Sequence, residues 1–156
     1  AGVVAYHETK WQELKVYDDA YELLKSLATT DLVRGVISAG ITVKQAEQVI
    51  RLKILDFITP TALFFTDQLG FAKPNPKLYR RVATRMELET ARIMYVGDNP
   101  TQDIDPANEE GWITCRVRKS GRYAREDGAT QPDYEVTDYA QLRQILQEDF
   151  NVLRRV

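Results

Sequence analysis

Apolar residues along the chain fall into two alternating kinds of run. Short, mainly apolar runs at Leu32 to Ile37, Ala62 to Phe65, Ile93 to Val96 and Trp112 to Val117 have the length and the β-branched or aromatic content of buried strands. Between them the spacing changes to threes and fours, as in Ala20, Leu23, Leu24 and Leu27, in Ala46, Val49, Ile50 and Ile54, and in Leu78, Tyr79, Val82 and Met86. That spacing predicts amphipathic helices, the first capped by Asp18 or Asp19. Tyr134 to Val136 and Tyr139 to Leu146 predict a last short strand and a closing helix. Strands separated by helices at these distances predict an α/β protein: a parallel sheet with helices on both faces.

Three stretches fall outside the alternation. Residues 1–15 read as a helical end carrying Tyr6, Trp11 and Leu14, with a short strand at Gly2 to Ala5 as the other reading. Thr66 to Pro76 and residues 118–132 are rich in turn formers and predict loops. The arginines of the second are expected in a solvated surface loop rather than against a substrate.

Composition narrows the function classes. A length of 156 residues suits one domain, and an apolar content of 44% is enough for a core. The net charge of -2 gives no electrostatic basis for binding nucleic acid or an anionic membrane. Cys115 is the only cysteine, so there is no internal disulfide and no cysteine-based metal cluster, and its apolar surroundings predict a buried structural thiol. His7 is also alone. No stretch reads as a spanning helix and the start lacks a signal-peptide pattern, so a soluble cytoplasmic protein is expected.

Chemistry gathers at three turns that follow strands. The apolar run ending at Val96 stops at Gly97-Asp98, and Asp103 follows with four residues between the two aspartates. In a parallel sheet both carboxylates emerge past the strand ends, where open α/β sheets hold their ligands. Two nearby carboxylates repel unless a cation sits between them, and hard oxygen ligands suit magnesium. Ser38-Ala39-Gly40 follows the second strand; the Ser38 hydroxyl and the amides of Ala39 and Gly40, ahead of a helix, can bind an anion. Lys73 lies between Gly70 and the prolines Pro74 and Pro76, in a stiffened loop that aims its ammonium. There it can balance a carboxylate and a phosphoryl oxygen together.

In this order and spacing, Ser38 after an apolar strand, Gly-Phe-Ala-Lys73-Pro-Asn-Pro, and Val-Gly-Asp98 followed by Asp103-Ile resemble motifs two, three and four of the haloacid dehalogenase (HAD) superfamily. The similarity runs from about residue 16 to residue 150, and members with a helical cap (subfamily I) match best. The resemblance divides the chain into 1–15, the end of the cap or its linker; 16–150, the core; and 151–156, a tail. It implies a Rossmann-like, doubly wound core, magnesium, and an aspartyl-phosphate intermediate. By position Ser38 would bind the phosphoryl group, Lys73 would steady nucleophile and phosphate, and Asp98 and Asp103 would hold the metal directly or through water.

One departure matters. The family's first motif, a strand ending Asp-x-Asp-x-Thr or Val, supplies the attacking aspartate, and it is absent. Asp103-Ile-Asp105 has the spacing but lies inside the fourth motif. In the family that first strand is the central one. Omitting it would expose about five apolar side chains, each worth about 1.5–3 kcal/mol, against a total stability of about 5–15 kcal/mol. The expectation is therefore a sheet without its central strand in this chain, completed by a missing N-terminal segment or a complementary chain. A sheet rebuilt by Gly2 to Ala5 is the alternative.

The functional expectation is a magnesium-dependent phosphomonoester hydrolase acting on a small phosphorylated metabolite when complete, with this chain inactive alone. The alternatives are a non-catalytic binding module on a truncated HAD fold, or a phosphomutase or dehalogenase of the same superfamily. Gly97-Asp98 disfavours the dehalogenase, because metal-independent members lack that pair as the family resemblance has it. The choice of acceptor that separates mutase from hydrolase lies largely in the cap.

Overall fold

The computed structural model describes residues 3–6, 18–38, 55–119 and 123–153. Its strands are β1 (Val3–Tyr6), β2 (Val33–Ser38), β3 (Leu63–Phe65), β4 (Ile93–Gly97), β5 (Ile113–Val117) and β6 (Tyr134–Val136). They form one sheet in the order β3-β2-β1-β4-β5-β6, and every pairing is parallel. The helices are α1 (Asp18–Leu27), α2 (Thr66–Leu69), α3 (Pro76–Met86), α4 (Asp105–Glu109) and α5 (Tyr139–Asp149). The expected helix over Val43 to Ile54 lies outside the described residues, as do Ala39 and Gly40.

The centre of the sheet corrects the sequence reading. No gap is left there: Val3–Tyr6 lies between β2 and β4, with Val3 level with both Val33 and Ile93. The reason is hydrogen-bonding capacity. A gap between two buried strands would leave two facing rows of unpaired N–H and C=O groups, and Val-Val-Ala-Tyr is a short run of β-prone character that satisfies both. The helical reading of the opening stretch fails for these four residues; 7–17 lie outside the described residues.

Strand alternation then builds two cores. Ile93 and Tyr95 face one way, packing with Ile37, Trp112 and the α3 residues Leu78, Tyr79 and Val82. Met94 and Val96 face the other, packing with Cys115, with Leu23 and Leu27 of α1 and with Leu142 and Leu146 of α5. This is the doubly wound α/β arrangement, helices on both faces of a parallel sheet. Asp19 joins two of its parts by accepting a hydrogen bond from the Tyr139 N–H at 2.9 Å. The chain's last described residues fold back on the same layer: the Val152 N–H donates to the Leu146 carbonyl at 2.8 Å.

Two local expectations also change. The stretch after β3 begins as the single helical turn α2, which Gly70 ends with φ 77°. The helix after Gly97 opens as a wide π-type turn over Pro100–Ile104 before α4. Among the described residues no helix is long and apolar enough to cross a membrane.

Candidate active site

Because every strand runs the same way, the ends of β2 and β4 open on one edge of the sheet. Gly35 and Tyr95 are both level with Ala5 of the intervening strand. Counting three residues onward puts Ser38 and Asp98 at the same height, two strand spacings apart, or ~10 Å between backbones. Ser38 is buried at the last position of β2, and Asp98 is partly exposed just past β4.

The wide turn after β4 folds Asp103 back under Asp98. Asn99 caps it, its side-chain oxygen accepting from the N–H groups of Thr101 and Gln102 at 3.1 Å. Proline at the next position has no N–H to lose there. Gly97 makes the fold-back possible, since a Cβ at that position would lie 2.8 Å from both the Cβ and Oδ2 of Asp103. The glycine of the Gly-Asp pair is thus required by the second aspartate rather than by its own dihedral angles.

From the other side the loop after α2 delivers Lys73, whose peptide bond to Pro74 is cis. Its Nζ donates to Asp103 Oδ1 at 2.7 Å and to the Tyr95 hydroxyl at 2.7 Å. The side chains of Lys73 and Asp103 are 2% and 1% exposed. Burial lowers the Lys73 pKa from its ordinary value, opposed by the charge and hydrogen bond of Asp103 and by the charge of Asp98. Burial also drives the Tyr95 hydroxyl well above its ordinary value, reinforced by the Asp103 charge. The remaining oxygen of Asp103 accepts the Asn99 N–H at 3.2 Å.

Lys73, Asp98 and Asp103 are thus brought to one place, and Ser38 to the same edge. The sequence reading missed the partners beneath them. Tyr95 is the one residue of β4 with a polar tip, three positions before Asp98, and that was the available signal. Tyr79 stacks edge-on against it with ring centroids 5.2 Å apart and donates to the Gln102 carbonyl at 2.9 Å. Asp105, which shares the Asp-x-Asp spacing, serves elsewhere. It accepts the N–H groups of Ala129 and Thr130 and the Thr130 hydroxyl, fastening the long loop. Burial would raise its pKa, but these hydrogen bonds outweigh burial and lower it. Two arginines also fasten that loop: Arg116 donates to the carbonyls of Tyr123 and Glu126, and Arg118 pairs with Asp127 at 2.8 Å.

The donor set suits magnesium. Asp98 and Asp103 offer hard oxygens, and among the described residues no group of three acidic, histidine or cysteine side chains forms a cage. Hard carboxylate oxygens suit an ion held by one or two carboxylates that keeps several waters. Both oxygens of Asp103 already accept, one from the ammonium and the phenol and the other from an amide.

A doubly wound parallel sheet with a buried lysine–aspartate pair and a second carboxylate past its strand ends defines an α/β protein whose polar side chains gather where open sheets of this kind hold their ligands. The chain belongs to the haloacid dehalogenase-like hydrolase family, whose model matches residues 3–117. It is 36% identical over 152 residues to the glyceraldehyde 3-phosphate phosphatase of Methanopyrus kandleri, covering 95% of the chain and 64% of the relative. It is 33% identical to the protein of the same name from Methanocaldococcus jannaschii, covering 93% and 62%. The chain therefore spans a little under two thirds of the length of these curated relatives. Among solved structures it resembles a HAD phosphatase from Thermococcus onnurineus, with a TM-score of 0.73, 26% identity, and 84% of this chain and 58% of that one covered. It shares its fold, at a TM-score of 0.76 and 20% identity, with the magnesium-bound putative HAD-hydrolase YfnB from Bacillus subtilis, covering 86% of this chain and 57% of that one.

Proposed function

We propose that the chain carries the phosphate-binding and metal-holding part of a magnesium-dependent phosphomonoester phosphatase that works through an aspartyl-phosphate intermediate. The observation that carries this reading is the Lys73 ammonium 2.7 Å from Asp103 and within the field of Asp98, at the sheet edge where β2 also ends in Ser38. The names of the curated relatives support a small phosphorylated metabolite of the glyceraldehyde 3-phosphate type as substrate.

In this reading Lys73 offsets charge on the attacking carboxylate and on a phosphoryl oxygen. The Ser38 hydroxyl and the amides of Ala39 and Gly40 bind the other phosphoryl oxygens. Asp98 and Asp103 would hold magnesium, directly or through water; when bound, the ion would supply Lewis-acid stabilisation of charge on the phosphoryl group. A carboxylate oxygen forms its bond to phosphorus as the ester P–O bond breaks, the alcohol leaves with a proton from the second aspartate of the supplied Asp-x-Asp segment, and that aspartate then takes a proton from the water that releases orthophosphate from the acyl phosphate.

The attacking aspartate has to come from elsewhere. Strand β1 ends at Tyr6, and His7, Glu8 and Thr9 follow it in sequence. An aspartate-bearing strand, from an N-terminal segment or a complementary chain, would take the place β1 holds between β2 and β4. The chain by itself is accordingly inactive. Its lone buried cysteine suits a reducing compartment such as the cytoplasm. The absent aspartate also favours a second reading, an anion-binding module without turnover.

Orthophosphate release from glyceraldehyde 3-phosphate and from an aryl phosphate, with and without magnesium, separates the two. The chain supplied with an Asp-x-Asp-x-Thr segment is expected to hydrolyse both only with magnesium, and Lys73→Ala or Asp98→Ala to lower turnover about 10²-fold or more. Full activity in both variants overturns the phosphatase. Phosphate binding with no turnover under any of these conditions establishes the module instead.

A further inference from the structure

The Tyr95 hydroxyl lies 2.7 Å from Lys73 Nζ and donates to Asp103 Oδ1 at 3.3 Å, so ammonium, carboxylate and phenol close a triangle. An ammonium carries three N–H groups. One goes to the carboxylate and one to the phenol, and tetrahedral geometry then fixes the direction of the third. A lysine held by a carboxylate alone would still turn about that single contact on its flexible stem. The contact is with the hydroxyl and not the ring face: the distance from ring centre to oxygen plus the hydrogen bond accounts for the 5.4 Å between Nζ and the centroid.

The ring itself is fixed from below. Tyr79 meets it edge-on at 84°, and Trp112 meets both, with centroids 5.4 Å from Tyr79 and 6.1 Å from Tyr95. The Tyr79 hydroxyl is tied to the carbonyl of Gln102, the residue before Asp103. A rigid stack in the core therefore sets the position of a single hydroxyl at the site. Packing alone would be served as well by phenylalanine, which brings no polar atom into a wholly buried position.

We propose that Tyr95 is a positioning residue: its hydroxyl and Asp103 together aim the third N–H of Lys73 at the bound phosphoryl group. The inference rests on the phosphatase reading of Lys73, and Tyr95 itself touches no substrate.

The test is a proton–nitrogen spectrum of the lysine ammonium groups of the full chain, with inorganic phosphate as the probe. A restrained, buried Lys73 is expected to give a persistent cross-peak. In Tyr95→Phe that peak is expected to broaden away while the amide spectrum keeps the pattern of the folded chain and Tm falls only by the few degrees that one buried hydrogen bond is worth. Phosphate affinity should fall roughly 5-fold, about the worth of one hydrogen bond. A Lys73 peak that survives Tyr95→Phe unchanged, or an unaltered phosphate affinity, overturns the inference. Should Tyr95→Phe fail to fold, the unsubstituted chain decides: a slowly exchanging Tyr95 hydroxyl proton close to the Lys73 ammonium protons is expected, and its absence sinks the idea. Failure of the unsubstituted chain to bind phosphate sinks the phosphatase reading, whereas a surviving peak sinks only the role of Tyr95, so the two fail separately.

Discussion

Lys73 and Asp103 meet as a charged pair inside the protein, 2.7 Å apart and only 2% and 1% exposed. Removing one partner strands the other charge away from water, which typically costs about 3–5 kcal/mol. Lys73→Met and Asp103→Leu are each expected to destabilise by about that much. The double variant should cost clearly less than the sum, because it leaves no unpaired charge. Urea unfolding of the four proteins completes the cycle. Simple additivity would show that the two side chains do not act as a pair.

Gly97 bears on the same pair through its backbone. The atom a Cβ would strike is Asp103 Cβ, at 2.8 Å, at the root of the side chain where no rotamer change gives relief. Gly97→Ala is therefore expected to cost about 1–3 kcal/mol, the range for an overpacked core, and to displace Asp103 from Lys73. Thermal unfolding reads the first effect and the Lys73 ammonium signal the second. An alanine variant as stable as the parent would mean that the approach of Asp103 to residue 97 is looser than the structure has it.

Most of the sheet was legible in the sequence because strands buried on both faces read as unbroken apolar runs, as at Ile93–Gly97, and the helices keep their three-and-four spacing. The centre was not. Val3 to Tyr6 is too short for its period to decide between helix and strand, and its assignment depends on an open slot between β2 and β4 that only the assembled sheet reveals. At the site, Lys73, Asp98 and Asp103 announced themselves by spacing. The phenol of Tyr95 did not, since an aromatic residue in a buried strand ordinarily signals packing, and its hydroxyl meets its partners, Lys73 22 residues earlier and Asp103 eight residues later, only once the chain has folded.

Asp105 tests how far spacing alone can mislead. Its carboxylate accepts three hydrogen bonds from Ala129 and Thr130, and Gly128 passes so close that a Cβ there would lie 2.7 Å from the Asp105 oxygens. Asp105→Ala is expected to cost about 1–3 kcal/mol and to speed amide exchange at Ala129 and Thr130, with phosphate affinity unchanged. Asp98→Ala is expected to weaken magnesium binding and leave the exchange of those amides as it was. Loss of phosphate binding in Asp105→Ala would show that this aspartate belongs to the site after all.

Cys115 gives stability an alkaline limb. Its side chain is wholly buried in β5, and burial pushes the thiol up to about 12, against about 8.5 for an unperturbed cysteine. Below pH ~8.5 both folded and unfolded chains keep the proton, and the group contributes nothing to the pH dependence. Above it the unfolded chain releases the proton while the folded chain holds it until about pH 12, so stability falls as pH rises through that window. Between pH 8 and pH 10 the chain is expected to lose about 2 kcal/mol more than Cys115→Ala loses. Urea midpoints of the two proteins at both pH values measure the difference. A disulfide reagent at pH 8 is expected to label the thiol only on unfolding, because the thiolate is the reactive form. Equal pH slopes for the two proteins, or rapid labelling of the folded chain, would place the sulfur in contact with water and the β5 core nearer the surface than the structure has it.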